Sequence, residues 1–153
     1  ALRLNPTDRV LEIGSGCGYA AAVLSMLCQE VWGVEIDETL AHRSVDTLSS
    51  LGIENVRILC ADGSRGWSQF APFDAILLSC CAPEIPGPLW EQIKEGGRLL
   101  IPLGSCQFVQ RLCLASKLGN ERHIEALLHV SFVPMRLTSS DLRGANDAKV
   151  GAA

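Results

Sequence analysis

A chain of 153 residues is one domain's worth, long enough to bury a single proper core. Hydrophobic residues at 48% and charged residues at 20% give an ordinary globular balance and exclude a disordered chain. The formal net charge is −4 and no two Lys or Arg are adjacent, which argues against broad electrostatic binding to nucleic acid or to an anionic membrane.

In chain order, Ala1-Leu2-Arg3-Leu4 before Asn5-Pro6 reads as the last turn of a helix, so either the natural protein is longer or it has lost what lay upstream. Asp8 to Ile13 is predicted as a first strand, ended by Gly14-Ser15-Gly16-Cys17-Gly18. A helix follows through Ala20 to Leu27, rich in good helix formers. Val31 to Glu35 is the second strand. Asp37 then offers an N-cap to an amphipathic helix through Ala41, Val45 and Leu48, stopped by Gly52. Val56 to Cys60 is the third strand. Phe73 to Ser79 is a fourth, so apolar that both its faces should be buried. Pro88 to Lys94 reads as a short helix and Arg98 to Ile101 as a fifth strand. Val109 to Ser116 and Ile124 to Val133 read as an antiparallel hairpin turning at Gly119-Asn120. Strands alternating with helices and a closing hairpin predict an α/β doubly wound, mostly parallel sheet over residues 1–137. From Thr138 to Ala153 the chain has almost nothing to bury and reads as a frayed tail.

Seven cysteines, at 17, 28, 60, 80, 81, 106 and 113, form no C-x-x-C pair and sit largely in apolar runs. They read as small buried hydrophobes in a reducing compartment, with no metal site. No apolar run approaches the roughly 20 residues of a membrane span, and no secretory signal pattern is present, so the expected location is cytoplasmic.

The chemistry gathers at the strand ends. A strand ending in Gly14-x-Gly16-x-Gly18 and opening a helix brings bare backbone close to a ligand. Glu35 ends the second strand about 20 residues on, where a carboxylate accepts from both hydroxyls of a ribose. A dinucleotide turn wants a small residue where Tyr19 stands. Glu12 on the first strand and Asp62 after the third complete a set of three acids near neighbouring strand ends. Such a crevice suits a ligand with an ammonium, a ribose and an exocyclic amine and no pyrophosphate to repel. S-adenosylmethionine is such a ligand.

Val10 to Tyr19 resembles the first motif of class I methyltransferases. Asp62-Gly63-Ser64-Arg65-Gly66-Trp67, Ala71 to Ile76, Ala82-Pro83-Glu84-Ile85-Pro86 and Gly96 to Gly104 are, in order and spacing, similar to the protein-L-isoaspartate O-methyltransferases. Ser131-Phe132-Val133-Pro134-Met135 is similar to their closing motif, with Met135 where Leu is usual. The resemblance covers residues 1 to 137 and implies a Rossmann-like class I methyltransferase. Its reaction is methylation of the free carboxylate of L-isoaspartyl residues in damaged proteins, a repair step, with S-adenosylhomocysteine as product. It further implies that Gly14, Ser15, Gly16 and Gly18 line the methionine end of the cofactor with Glu12 nearby. Glu35, followed by Ile36, holds the ribose, Asp62 and Gly63 hold the adenine, and Ala82, Pro83, Glu84 and Ile85 form the loop beside the acceptor. The family's upstream segment with its active-site serine has no match here, so no catalytic serine is assigned, and Ser15, Ser64 and Ser79 are not given that role.

Transfer to a carboxylate needs no general base, because an acid with a pKa near 4 is already ionised at neutral pH. His42, His123 and His129 therefore read as surface or core residues, and Trp32, Trp67 and Trp90 as packing. Two rival readings stand beside this one: a methyltransferase with another acceptor, and a cofactor-binding fragment without turnover. Oligomeric state is not legible.

Overall fold

The computed structural model describes residues 1–105, 107–119 and 121–138. Seven strands form one sheet: β1 (Arg9–Ile13), β2 (Glu30–Glu35), β3 (Val56–Cys60), β4 (Phe73–Leu78), β5 (Ile93–Leu103), β6 (Gln110–Leu118) and β7 (Glu121–Val130). Their order is β3-β2-β1-β4-β5-β6-β7. The first five are parallel and the last two run antiparallel, as the sequence pattern predicts. The strand order reverses between β1 and β4, and in open sheets of this kind the crevice at the carboxyl ends there is where ligands bind.

Helices α1 (Tyr19–Ser25) and α2 (Glu38–Ser50) carry the first two crossovers, and α3 (Gly87–Glu91) precedes β5. Asp37 caps α2, its Oδ1 accepting from the Thr39 and Leu40 amides. Alternation divides the sheet's side chains between two cores. Leu11, Ile13, Trp32, Val34, Ile76 and Leu78 fill one. Val10, Val31 and Ala75 meet Ala21 and Leu24 of α1 in the other. β4 is buried almost throughout, which explains its unbroken apolar sequence.

Several boundaries depart from the sequence reading. Residues 1–5 form no helix; Arg3 has a φ of 48° and Leu2 is buried against the α1 side of the sheet. α3 ends at Glu91 and β5 already begins at Ile93, which pairs with Phe73. The register then slips between Phe73 and Ala75, where β5 passes through Gly96-Gly97, and regular pairing resumes at Arg98. β7 stops at Val130, and the chain leaves the hairpin to run parallel beside Cys81 through Pro134. Cys28, Cys80 and Cys113 are buried as expected, whereas Cys17 and Cys60 are exposed and Cys81 is disulfide-bonded. Of the expected tail at 138–153, Thr138 is instead hydrogen-bonded to Asp62, and 139–153 lie outside the described residues. None of the described helices is long and apolar enough to cross a membrane.

Candidate functional site

The glycine turn after β1 is held from both sides. The Gly14 amide donates to the Val34 carbonyl at 2.8 Å, continuing the β1–β2 ladder, and the Gly18 amide closes back on the Ser15 carbonyl at 2.8 Å. Gly14, Gly16 and Gly18 have φ values of 80°, 55° and 84°, which side chains rarely adopt. A Cβ built on Gly16 would meet no atom within 4 Å, so the turn presents bare backbone to open space.

Glu35, at the end of β2, is 7% exposed. Its Oε2 accepts from the Gly16 amide at 2.8 Å and its Oε1 from the Asp37 amide at 3.0 Å. The carboxylate thus ties the glycine turn to the cap of α2 and keeps unused lone pairs. Glu12 is fully buried on β1. Its Oε1 accepts from the Ser79 hydroxyl at 3.3 Å, while Oε2 has no hydrogen-bond partner. Burial first, opposed by the Ser79 bond and reinforced by repulsion from Glu35, pushes its pKa up from 4.5 to about 7. The Ser15 hydroxyl is likewise buried without a partner.

Asp62 follows β3. Its Oδ1 accepts from the Ser64 amide at 2.9 Å, and its Oδ2 from the Thr138 amide at 2.8 Å and the Thr138 hydroxyl at 3.3 Å. Burial pulls its pKa upward, but the Thr138 and Ser64 hydrogen bonds outweigh that and hold it below the ordinary range. Gly63 lies so close to β1 that an added Cβ would stand 2.5 Å from Ile13 Cγ2.

Two hollows open here. A small one of about 70 Å³ lies among Gly14, Ile36, Gly63, Cys80, Met135 and Arg136. A groove of about 740 Å³ runs beside it past Ser64, Ala82, Pro83, Glu84, Met135 and Leu137. The segment from Val133 to Thr138 separates them. It is pinned by Cys81 N–H to Val133 O and Met135 N–H to Cys81 O, both 2.8 Å, by Arg136 against Asp37 at 3.4 Å, and by Thr138 on Asp62.

The structure therefore brings Glu12, Gly14, Ser15, Gly16, Gly18, Glu35, Ile36, Asp62 and Gly63 to the strand ends beside the β1/β4 reversal. Of the loop after β4, Ala82, Pro83 and Glu84 reach the groove, but Ile85 turns into the core. His42, His123 and His129 are all exposed. Trp32 packs against Phe70 and Phe73, Trp67 meets Phe70 edge-on, and Trp90 packs at the margin of the same core. Sequence reasoning missed Ser79, Cys80 and Arg136 to Thr138. The closing motif at 131–135 was the available signal for that last segment. Among the described residues no His, Cys, Asp and Glu cluster could hold a metal. The groups present, a buried carboxylate with one oxygen unpartnered, two further acids and an open glycine turn, fit a cationic nucleoside and not a phosphate.

Residues 1–140 match the family model described as protein-L-isoaspartate(D-aspartate) O-methyltransferase. A protein-L-isoaspartate O-methyltransferase of Opitutus terrae is 49% identical over 134 residues, 88% of this chain and 58% of that protein. A second, of an Anaeromyxobacter species, is 49% identical over 136 residues, 89% of this chain and 56% of that protein. The chain thus spans a little over half the length of these relatives. A solved protein-L-isoaspartate O-methyltransferase superposes with a TM-score of 0.88 at 30% identity, covering 99% of this chain and 49% of that one. A Plasmodium falciparum protein described as belonging to the same class, solved with S-adenosyl-L-homocysteine, gives a TM-score of 0.71 at 26% identity, covering 86% of this chain and 67% of that one.

Proposed function

We propose that this chain, which belongs to the protein-L-isoaspartate(D-aspartate) O-methyltransferase family, is the cofactor-binding core of an enzyme that methylates the free carboxylate of L-isoaspartyl residues in damaged proteins. The cofactor is S-adenosylmethionine, whose sulfonium supplies an activated methyl group and leaves as neutral S-adenosylhomocysteine. The single observation that carries the reading is the Glu35–Gly16 tie beside the unpartnered Glu12 carboxylate, at the carboxyl ends of β1 and β2.

Each residue has a task that follows from its chemistry. Glu35 accepts from the ribose hydroxyls with the lone pairs its two amide bonds leave unused. Gly14, Ser15, Gly16 and Gly18 let the methionine end approach the backbone, and Glu12 answers its positive charge. Asp62 and Gly63 take the adenine, with Ile36 against its face. The groove bordered by Ala82, Pro83 and Glu84 takes the acceptor peptide, and its apolar walls exclude water from the reacting carboxylate. Ile85 supports that loop from the core. The acceptor is ionised at neutral pH, so no residue need remove a proton. An absence of nucleic-acid partners accords with the acidic charge.

Calorimetric titration with S-adenosylmethionine, paired with a methylation assay on an isoaspartyl peptide, tests the proposal on the 153-residue chain. Binding is expected. Absence of binding overturns the reading. A second reading, binding without turnover, is favoured by the chain's spanning only 58% and 56% of two relatives, and the peptide assay on the same sample separates the two.

A further inference from the structure

The Glu12 carboxylate poses a problem that the cofactor alone does not solve. It is fully buried, and among the described residues no cation pairs with it. Burying an unpaired carboxylate is costly, and the ordinary escape is to take up a proton. A protonated Glu12 would be useless to a positively charged ligand. Something must hold it in the charged form.

The groups on the elements around it are few. Glu12 stands in register with Gly33 of β2 and Leu77 of β4, neither of which carries a charge. Farther along β2, Glu35 repels it. After β4, the Cys80 thiol is itself pushed up to about 11, by burial foremost and then by Glu35, and stays neutral. The titratable group of α1 is Tyr19, which is 75% exposed. Among the described residues one donor reaches the carboxylate: the Ser79 hydroxyl at 3.3 Å from Oε1. Its position is fixed by backbone, because the Ser79 amide donates to the Ile13 carbonyl at 2.9 Å and so extends the β1–β4 ladder by one residue. A hydroxyl held there has Glu12 as its evident acceptor. It also leaves Oε2 open.

We propose that Ser79 is a positioning residue, whose hydroxyl donates to Glu12 and favours its carboxylate form, with one oxygen open for the ammonium or sulfonium charge of the cofactor. The inference rests on the cofactor reading above and adds a device that the motif residues do not supply. Since the cationic ligand selects the charged form of Glu12, its binding drives the acid's remaining proton into solvent.

The test uses the intact chain, Ser79→Ala, which removes the donor, and Ser79→Thr, which restores it. The Glu12 side-chain carboxyl is titrated by carbon NMR without ligand, and S-adenosylmethionine affinity is measured by calorimetry from pH 6 to pH 9. In Ser79→Ala the Glu12 titration moves to higher pH and affinity at pH 7 falls about three- to tenfold, the net worth of one ordinary hydrogen bond. The deficit closes as pH rises, and Ser79→Thr behaves like the parent. An unchanged Glu12 titration in Ser79→Ala, with cofactor binding intact in the parent, overturns the role of Ser79 alone. So does a loss of affinity equal at every pH, which marks a merely structural residue. A parent chain that binds no S-adenosylmethionine overturns the function reading and this inference with it.

Discussion

Glu35 and Gly16 are joined by a 2.8 Å hydrogen bond from the glycine amide to Oε2, which makes the proposed ribose acceptor also the brace of the turn it serves. The other oxygen holds the Asp37 amide at 3.0 Å, so one side chain fixes both the glycine turn and the start of α2. Binding and stability are therefore coupled at this residue.

Glu35→Ala should lose on both counts. Two amides lose a charged acceptor, a cost of about 2–3 kcal/mol, readable as a lower urea midpoint. S-adenosylmethionine affinity should fall about tenfold or more, consistent with the loss of a charged hydrogen-bonding partner. Glu35→Gln keeps the shape but offers a single acceptor oxygen, and should fall between the parent and Glu35→Ala. Unchanged calorimetric affinity in Glu35→Ala would remove the ribose contact from the account.

Glu12 predicts an unusual pH dependence. Its folded-state pKa, about 7, lies above the ordinary 4.5, so the folded chain holds a proton that the unfolded chain releases. Stability from this group is fully present below pH 4.5 and is lost as pH rises to about 7, a total of about 3 kcal/mol. Asp62 and Asp74 act the opposite way. Burial works against each, but the Thr138 and Ser64 bonds on one and the Lys94 and Arg9 contacts on the other hold them below the ordinary range, so their contribution is lost only as pH falls further. Glu12→Gln should therefore be the more stable protein at pH 8, by about 2–3 kcal/mol, while binding the cofactor less well. Urea unfolding at pH 5 and pH 8 decides it, and parallel pH trends in parent and variant would sink the claim.

How much of this was legible in the sequence depended on how local the determinant was. Glu12 and Glu35 could be read because each is set by its distance from one glycine turn. The Asp37 cap was legible for the same reason, since its acceptors are two and three residues on. Ser79 was not legible, because its bond to Glu12 joins positions 67 apart through the β1–β4 pairing. Thr138, read as the start of a tail, reaches Asp62 across 76 positions. Ile85, read with the loop after β4, faces the core instead, because no periodicity says which way an irregular segment faces. The first residues misled for a related reason. A short apolar run before a proline looks like a helix end, whereas Leu2 is held by burial against the sheet without any helix.

The Thr138 contacts carry a prediction about cofactor entry. A hollow of about 70 Å³ holds two or three waters, whereas ligand sites run to roughly 300 Å³ and more. On the proposed adenine contact, the segment from Val133 to Thr138 shifts for a nucleoside to reach Asp62, and Thr138 gives up Oδ2. Thr138→Val removes the hydroxyl bond and Thr138→Pro removes both. Affinity for S-adenosylmethionine should rise about twofold and about fivefold respectively, fractions of what such bonds are worth. In the parent, the Thr138 amide resonance should move on titration with S-adenosylhomocysteine. A fixed resonance, or weaker binding in both variants, would show that the segment does not compete.

Gly63 offers a purely steric test of the adenine end. The residue takes no strained φ, so a substitution there is opposed only by the methyl of Ile13, 2.5 Å from where a Cβ would stand. Both partners are nearly or fully buried on neighbouring parts of the core, and neither can withdraw. Gly63→Ala should therefore cost about 1–3 kcal/mol through overpacking. It should also displace the backbone next to Asp62, weakening cofactor binding. Replacing Ile13 by Leu removes the offending branch at Cβ while keeping the volume, so the double variant should recover most of the loss. That gives a favourable coupling energy of about 1 kcal/mol or more in a double-mutant cycle. Additive effects would place the strain somewhere other than the Gly63–Ile13 contact. Recovery of stability without recovery of affinity would show that the turn's position, and not its packing, governs the ligand.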